Sequence, residues 1–210
     1  MAFLYQIDFE RIYEPLLLFF NTIDDNKCFF DVSALCLPDS LKLQEKADFI
    51  YFNSDFRADL FSHSITPFDK AKFKSRGKWR NNTYPKSIDG AIACFDVGLI
   101  SEEDEDDNCN GFVELNLSKL RHDIQYVKFV LSNDSRFEDF FMVKQVNVKL
   151  VSKQNNITLF EHSINFQNFK YIDCKAGSFL SLKRENNTFA LHSEEICVKG
   201  DLFDYIQLFC

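Results

Sequence analysis

The amino-acid sequence predicts an all-β fold: a β-sandwich of two mainly antiparallel sheets, with one or two short helices including a C-terminal one. Two observations support this fold class. Short runs of apolar or alternating residues recur along the chain, and turn-forming residues separate them. This spacing is typical of sandwiches and barrels. In addition, few windows show the 3.6-residue hydrophobic period of a helix.

The strands follow one another at short intervals. The first is predicted in the continuous apolar run at 15–21, as expected for a buried strand. Further strands are predicted at 29–37, 48–53, 91–95, 112–117, 126–132, 141–151, 157–164, 177–183 and 187–192. The Asp89-Gly90 pair is a hairpin-type turn signal, and Asn155-Asn156 and Glu185-Asn186 are polar turns between later strands.

Two segments favour a helix. A single turn of helix is predicted within 118–124, with Ser118 as its cap. The stretch 200–209 (GDLFDYIQLF) places Leu202, Tyr205, Ile206 and Phe209 on one face. Such a stripe predicts an amphipathic helix at the C-terminus.

The length of 210 residues fits a single domain spanning 1–210. Its 25 phenylalanines supply ample core-forming surface, at roughly 1.5–3 kcal/mol for each fully buried ring. A basic insertion at about 55–88 interrupts the regular spacing of the predicted strands. The longest early apolar run is too short to span a membrane and no basic region precedes it, so the cytoplasm is the expected location.

The net charge and the cysteine pattern argue against two functions, nucleic-acid binding and a zinc ribbon. The net charge of −8 and the pI near 5.0 argue against nucleic-acid binding, because phosphates are repelled by an acidic surface. The seven cysteines contain no CxxC pair, which disfavours a zinc ribbon. We expect free thiols in a reducing compartment.

Common enzyme signatures are missing. The sequence has no GxSxG, HExxH, Walker A or GxGxxG motif. No histidine lies at ligand spacing from a cysteine or an acid; the four are His63, His122, His162 and His192. The sequence therefore predicts a protein that is not an enzyme. A hydrolase whose active site matches no known motif is a weaker hypothesis.

An acidic run at 102–107 is the clearest candidate for chemistry. Its six consecutive carboxylates repel one another, and a calcium ion, which takes six to eight oxygen ligands, would relieve that repulsion. A solvated charged loop is the simpler alternative. Further oxygen-bearing residues lie near strand ends and would meet if one end of the sandwich gathers them, although each alone is more often a turn former. These include Asp31, Ser33, Asp48, Asn53, Asp89 and Asp96.

The basic insertion is the second candidate site. It interleaves cations with aromatic residues, and the residues predicted to bind a partner are Lys70, Phe73, Arg76, Trp79 and Arg80. Such a mixture can bind nucleic acid or an anionic membrane. There are two alternatives: the insertion is a mobile loop with solvated charge, or it folds back onto the acidic run.

Several segments occur in an order that matches one known family. They are 30–35 (FDVSAL), 48–53 (DFIYFN), 89–93 (DGAIA), 106–107 (DD), 114–120 (ELNLSKL), 126–132 (YVKFVLS), 177–180 (GSFL) and 183–187 (KRENN). Together they resemble the TerD (tellurite-resistance) family over roughly 15–206. The resemblance implies a β-sandwich that binds calcium through acidic loops at one end and takes part in stress responses.

Carried over to this chain, the resemblance implies one or two Ca²⁺ sites. The implied ligands are Asp31, Asp48, Asn53, Asp96, Asp106 and Asp107. Two departures concern these sites: Phe29 stands where the family has its first aspartate, and a glycine-rich loop is replaced by 97–100 and the acidic run.

Two hypotheses follow. The leading one is a non-enzymatic, calcium-binding TerD-like domain that acts in a protein assembly of the stress response, with partners in a stress-response or membrane-associated complex. The other is a metal-free, degenerate interaction module that uses the basic, aromatic insertion.

Overall fold

The computed structural model describes residues 1–23, 30–51, 54, 57–59, 83–96, 109–133 and 139–210. Within these residues the chain forms thirteen strands and one short α-helix. They are β1 (Ala2–Ile7), β2 (Leu16–Ile23), β3 (Asp31–Leu37), β4 (Phe49–Ile50), β5 (Arg57–Asp59), β6 (Thr83–Pro85), β7 (Ile92–Asp96), β8 (Cys109–Leu115), β9 (Tyr126–Ser132), β10 (Gln145–Ser152), β11 (Thr158–Asn165), β12 (Ala176–Glu185), β13 (Thr188–Val198) and α1 (Leu202–Ile206).

The strands form two large antiparallel sheets. The first has the order β1-β13-β12-β9-β3-β4, and the second has the order β11-β10-β2-β8-β7. β5 and β6 pair in a separate two-stranded sheet. The predicted fold class, a sandwich of two antiparallel sheets with a C-terminal helix, is therefore confirmed. Among the described helices, none has the length and hydropathy needed to cross a bilayer.

The continuous apolar run in β3 has a structural reason, because both faces of this strand are buried. Val32, Ala34 and Cys36 face the main core between the sheets. Leu35 and Leu37 face a second core on the other side of the first sheet. A strand buried on both faces needs no alternation of polar and apolar residues.

The second core lies beneath the C-terminal helix. Helix α1 begins with a capping box in which the side chains of Asp201 and Asp204 each accept from the backbone of the other residue. A 3-10 turn, Gln207–Phe209, extends the helix. The four residues predicted to share one face are all buried: Leu202, Tyr205, Ile206 and Phe209.

Three local differences separate the sequence expectation from the structure. Strand β1 was not expected; it is an edge strand paired with β13, and its residues do not alternate between buried and exposed. The segment predicted as a strand at 141–151 begins with a 3-10 turn, Phe140–Met142, and becomes a strand only at Gln145. The helical turn predicted at 118–124 is a 3-10 turn at Leu117–Lys119.

Candidate functional site

Strand β3 runs between the two ends of the sandwich, and the predicted ligands Asp31 and Asp48 lie at opposite ends of it. β4 is antiparallel to β3, with Ala34 opposite Ile50. Continuing that register places Asp48 beside Cys36, five residues along the strand from Asp31, or about 16 Å. Calcium ligands lie about 2.3–2.6 Å from the ion. Asp31 and Asp48 therefore lie too far apart to bind the same ion.

The end of the sandwich that contains Asp31, here called the Asp31 end, gathers three buried oxygen-bearing side chains. Asp31 lies directly opposite Ser132 of β9, and Ser33 follows two residues along on the same face of the strand. Ser33 is 1% exposed and Ser132 is 2% exposed. Among the described residues, neither hydroxyl oxygen has a hydrogen-bond partner. Burying a hydroxyl without a partner costs about 1–3 kcal/mol, so each of these oxygens is a candidate to contact a ligand.

The predicted ligand Asp96 ends β7 at this same end. Asp96 is paired with Gly111 of β8. A Cβ on Gly111 would lie 2.8 Å from the Val32 side chain, so this part of the second sheet packs against the start of β3. Asp96 and Cys109, which flank the acidic run in sequence, therefore lie at the Asp31 end. Asn53, Asp106 and Asp107 lie outside the described residues.

The donor set at the Asp31 end is chemically suited to a hard cation. One carboxylate and two hydroxyls are oxygen ligands of the type that calcium takes. They supply too few ligands for a complete shell. Among the described residues, no group of three or more histidine, cysteine, aspartate or glutamate side chains could bind a metal.

Asp48 is paired with a cation at the opposite end. An Nη of Arg121 lies 2.9 Å from one carboxylate oxygen of Asp48 and 3.2 Å from Asp123. The other oxygen of Asp48 is buried, and none of the described residues forms a hydrogen bond with it. Burial raises the pKa of the Asp48 carboxyl, and Arg121 opposes this effect. A metal ion at this position would be repelled by the adjacent guanidinium, so Asp48 has a structural role here.

Asp89, in the predicted turn before β7, closes the loop next to Asp48. One of its oxygens accepts from the Ser87 hydroxyl at 2.5 Å and from the Ala91 backbone N–H at 2.9 Å. Its other oxygen accepts from the backbone N–H of Arg121 at 3.0 Å. These bonds connect the turn to the 3-10 region after β8. They give both carboxylate oxygens of Asp89 hydrogen-bond partners, so the presence of an aspartate here is explained without a bound metal ion.

The residues predicted to bind a partner fall in the connection between β5 and β6. Lys70, Phe73, Arg76, Trp79 and Arg80 lie outside the described residues. The two strands that flank the connection pair with each other. Tyr84 of β6 stacks on Phe95 of β7, with ring centroids 4.5 Å apart. The base of the insertion is thus fixed to the edge of the second sheet.

A buried polar cluster lies under the C-terminal helix and was missed by the sequence analysis. Lys128 of β9 donates to Glu194 of β13, and Ser178 of β12 donates to the other carboxylate oxygen of Glu194. The Ser178 and Tyr205 hydroxyls lie 2.5 Å apart. Lys128 also lies over the ring of Phe209. No sequence motif links these residues, since adjacent strands bring them together.

An open cleft of about 510 Å³ separates the edge strands β1 and β11. Its walls include His162, Tyr171, Phe179 and Glu195. Burial lowers the pKa of His162, and the Tyr171 hydroxyl donates to Glu195. The sequence analysis gave His162 no role in a metal site, and it lies in the wall of this cleft.

Comparisons with known proteins give structural neighbours only. No protein-family model matches the chain, and no curated protein has a significantly similar sequence. The crystal structure of SAV2460, a protein of unknown function, aligns with a TM-score of 0.54 and 12% identity over 92% of this chain and 95% of that one. A homologue of the telluride resistance protein TerD from Streptomyces coelicolor A3(2), SCO6318, aligns with a TM-score of 0.53 and 10% identity over the same shares of the two chains. At this level of identity the similarity concerns the fold, and this chain has the fold of a TerD homologue over nearly its whole length.

Proposed function

We propose that this chain is a non-enzymatic TerD-like domain that binds one calcium ion at the Asp31 end and acts within a protein assembly of the stress response. The observation that carries the calcium proposal is the pair of unpartnered buried hydroxyls, Ser33 and Ser132, beside the buried Asp31. They lie at the end of the sandwich from which the acidic connection 97–108 departs.

A bound cation would stabilise both groups of residues at this end, the buried hydroxyls and the acidic run. Two buried hydroxyl oxygens without partners gain a ligand when a cation binds, and six adjacent carboxylates lose much of their mutual repulsion. Asp31 and two carboxylates of the acidic run, Asp106 and Asp107, would neutralise the ion, with Asn53 and backbone carbonyls completing the shell. Asp48 does not belong to this ligand set because Arg121 binds it at the other end.

A non-enzymatic role is supported by the sequence, which contains none of the common catalytic motifs. The partners we propose are other proteins of a stress-response or membrane-associated complex. The basic surface needed to contact an acidic partner is concentrated in the insertion at 55–88.

Thermal melting during a calcium titration tests the site. A ligand present at 100 times its Kd adds about 2.7 kcal/mol to the free energy of unfolding, which corresponds to a Tm increase of roughly 5–11 °C for a chain of this size. Asp31→Asn and Ser132→Ala should each reduce the calcium-dependent increase.

Asp39→Asn is the matched control, because Asp39 is an exposed aspartate just beyond the other end of β3. It should respond to calcium like the parent chain. No increase in the Tm of the parent chain at millimolar calcium would refute the calcium proposal and leave the fold unaffected.

The rival function, a metal-free interaction module, is favoured by the way β5 and β6 close the base of the insertion. Replacing 70–80 by a flexible linker of equal length tests it. Loss of co-purifying proteins together with an absent calcium response in the parent chain would favour this module. Retention of the partners would exclude the insertion as the binding surface.

A further inference from the structure

Two cysteines that are 23 residues apart in sequence meet in the fold. The sulfur atoms of Cys174 and Cys197 lie 3.0 Å apart, and both residues are free thiols. Cys174 is 3% exposed, whereas Cys197 is partly exposed. The pair is therefore closed on one side by the core and open to small molecules on the other.

Backbone hydrogen bonds hold the segments that carry the two cysteines. The N–H of Cys174 donates to the Tyr171 carbonyl at 3.1 Å, and the N–H of Lys175 donates to the Val198 carbonyl at 3.0 Å. Cys197 lies directly opposite Gly177 in the β12–β13 ladder. A Cβ on Gly177 would lie 2.8 Å from the Cβ of Cys197, so the glycine makes room for the cysteine at this position.

We propose that Cys174 and Cys197 form an oxidation site that a two-electron oxidant of the peroxide class converts to a disulfide. One thiol loses its proton, and the resulting thiolate attacks a peroxide oxygen. The O–O bond breaks and the departing hydroxide takes up that proton, which gives a sulfenic acid and water. The second thiol then displaces the sulfenic hydroxyl as water and forms the S–S bond. Two thiols and one hydrogen peroxide give one disulfide and two waters, with both sulfurs oxidised and both peroxide oxygens reduced.

The geometry favours a disulfide over a shared metal. A sulfur ligand lies about 2.3 Å from zinc, so two thiolates on one tetrahedral ion are roughly 3.8 Å apart. The observed sulfur atoms are closer than that, and about 1 Å of movement brings them to the disulfide bond length. Burial and the neighbouring Cys174 raise the pKa of Cys197 to about 12. The Cys197 thiol is therefore held in its protonated form.

Peptide mapping after peroxide treatment of the folded chain tests the proposal. After oxidation the free thiols are alkylated in denaturant and the chain is cut with trypsin. Trypsin releases Cys174 within 171–175 and Cys197 within 185–199, and each peptide contains a single cysteine. We expect these two peptides to appear joined, with two hydrogens fewer than the sum of their masses, and to separate on reduction. Cys36 and Cys94, buried in the main core, should remain alkylated.

Two outcomes would overturn the proposal. One is recovery of the two peptides separately, whether alkylated or carrying added oxygen. The other is a metal ion that co-purifies with the chain and is lost in Cys174→Ser and in Cys197→Ser. Gly177→Ala provides a further readout, because it displaces Cys197 and should lower the disulfide yield while both thiols remain. Circular dichroism of the reduced variant checks that it is folded.

Discussion

Replacing Lys128 by methionine should destabilise the chain far more than removing an exposed lysine. Lys128 is only 1% exposed, and its ammonium is paired with Glu194, whose side chain is 2% exposed. Methionine keeps most of the length of the side chain but removes the charge. Among the described residues, Glu194 would then retain the hydroxyl of Ser178 as its one hydrogen-bond partner and would be left as a buried charge.

The size of the effect follows from this burial. Removing one member of a buried ion pair costs about 3–5 kcal/mol, because an uncompensated charge remains. At about 2–4 °C for each kcal/mol in a chain of this length, the Tm should fall by roughly 6–20 °C. Replacing both members by methionine leaves no buried charge, and such double replacements are often neutral. The double variant Lys128→Met with Glu194→Met should therefore be more stable than Lys128→Met alone.

Urea unfolding followed by circular dichroism measures these differences, and Lys149→Met is the control. Lys149 forms an ion pair with Glu161 at 3.2 Å on adjacent strands, but the two side chains are 41% and 66% exposed. Exposed pairs contribute about 0–1 kcal/mol. If Lys128→Met and Lys149→Met cost the same, or if the double variant is less stable than Lys128→Met, the destabilisation does not come from leaving Glu194 as an uncompensated buried charge.

Two further variants test other parts of the fold. Burial raises the pKa of Asp48 above its ordinary 3.8, so this group stabilises the fold below the pKa of the unfolded chain and the contribution is lost as the pH rises through the folded pKa. Asp48→Asn cannot ionise and should flatten the dependence of Tm on pH in that window, and an unchanged pH profile would contradict this. Gly111→Ala places a Cβ 2.8 Å from both the Phe95 carbonyl oxygen and the Val32 side chain. Overpacking of this kind costs about 1–3 kcal/mol, and a urea midpoint equal to that of the parent chain would show that the two sheets can separate locally.

Much of the architecture could be predicted from the sequence, because it depends on local patterns. Apolar runs and turn residues marked most of the strands, and the C-terminal helix followed from the spacing of Leu202, Tyr205, Ile206 and Phe209, all of which are buried. Strand β1 was missed because an edge strand in contact with solvent carries no burial pattern. The order of TerD-like segments also predicted the fold that the structural neighbours share.

The site was only partly accessible to this reasoning. Asp31 and Asp48 both lie near strand ends in the sequence and were expected to meet if one end of the sandwich gathers them, but the antiparallel pairing of β3 with β4 separates them. Ser132 joins Asp31 only through the β9 register. The contact of Cys174 with Cys197 likewise depends on the β12–β13 ladder. The sequence contains no CxxC spacing from which it could be predicted.

The sequence by itself determined which segments are extended, which face of each is apolar and where the chain turns, since these follow from side-chain periodicity and backbone preference within a few residues. The tertiary structure decided which strands are neighbours, in which direction they run and in what register. Register sets the partners of every side chain, and it is fixed by the packing of two whole sheets against each other. Buried groups such as Lys128 and Glu194 therefore acquire their partners only when the strands that carry them are paired.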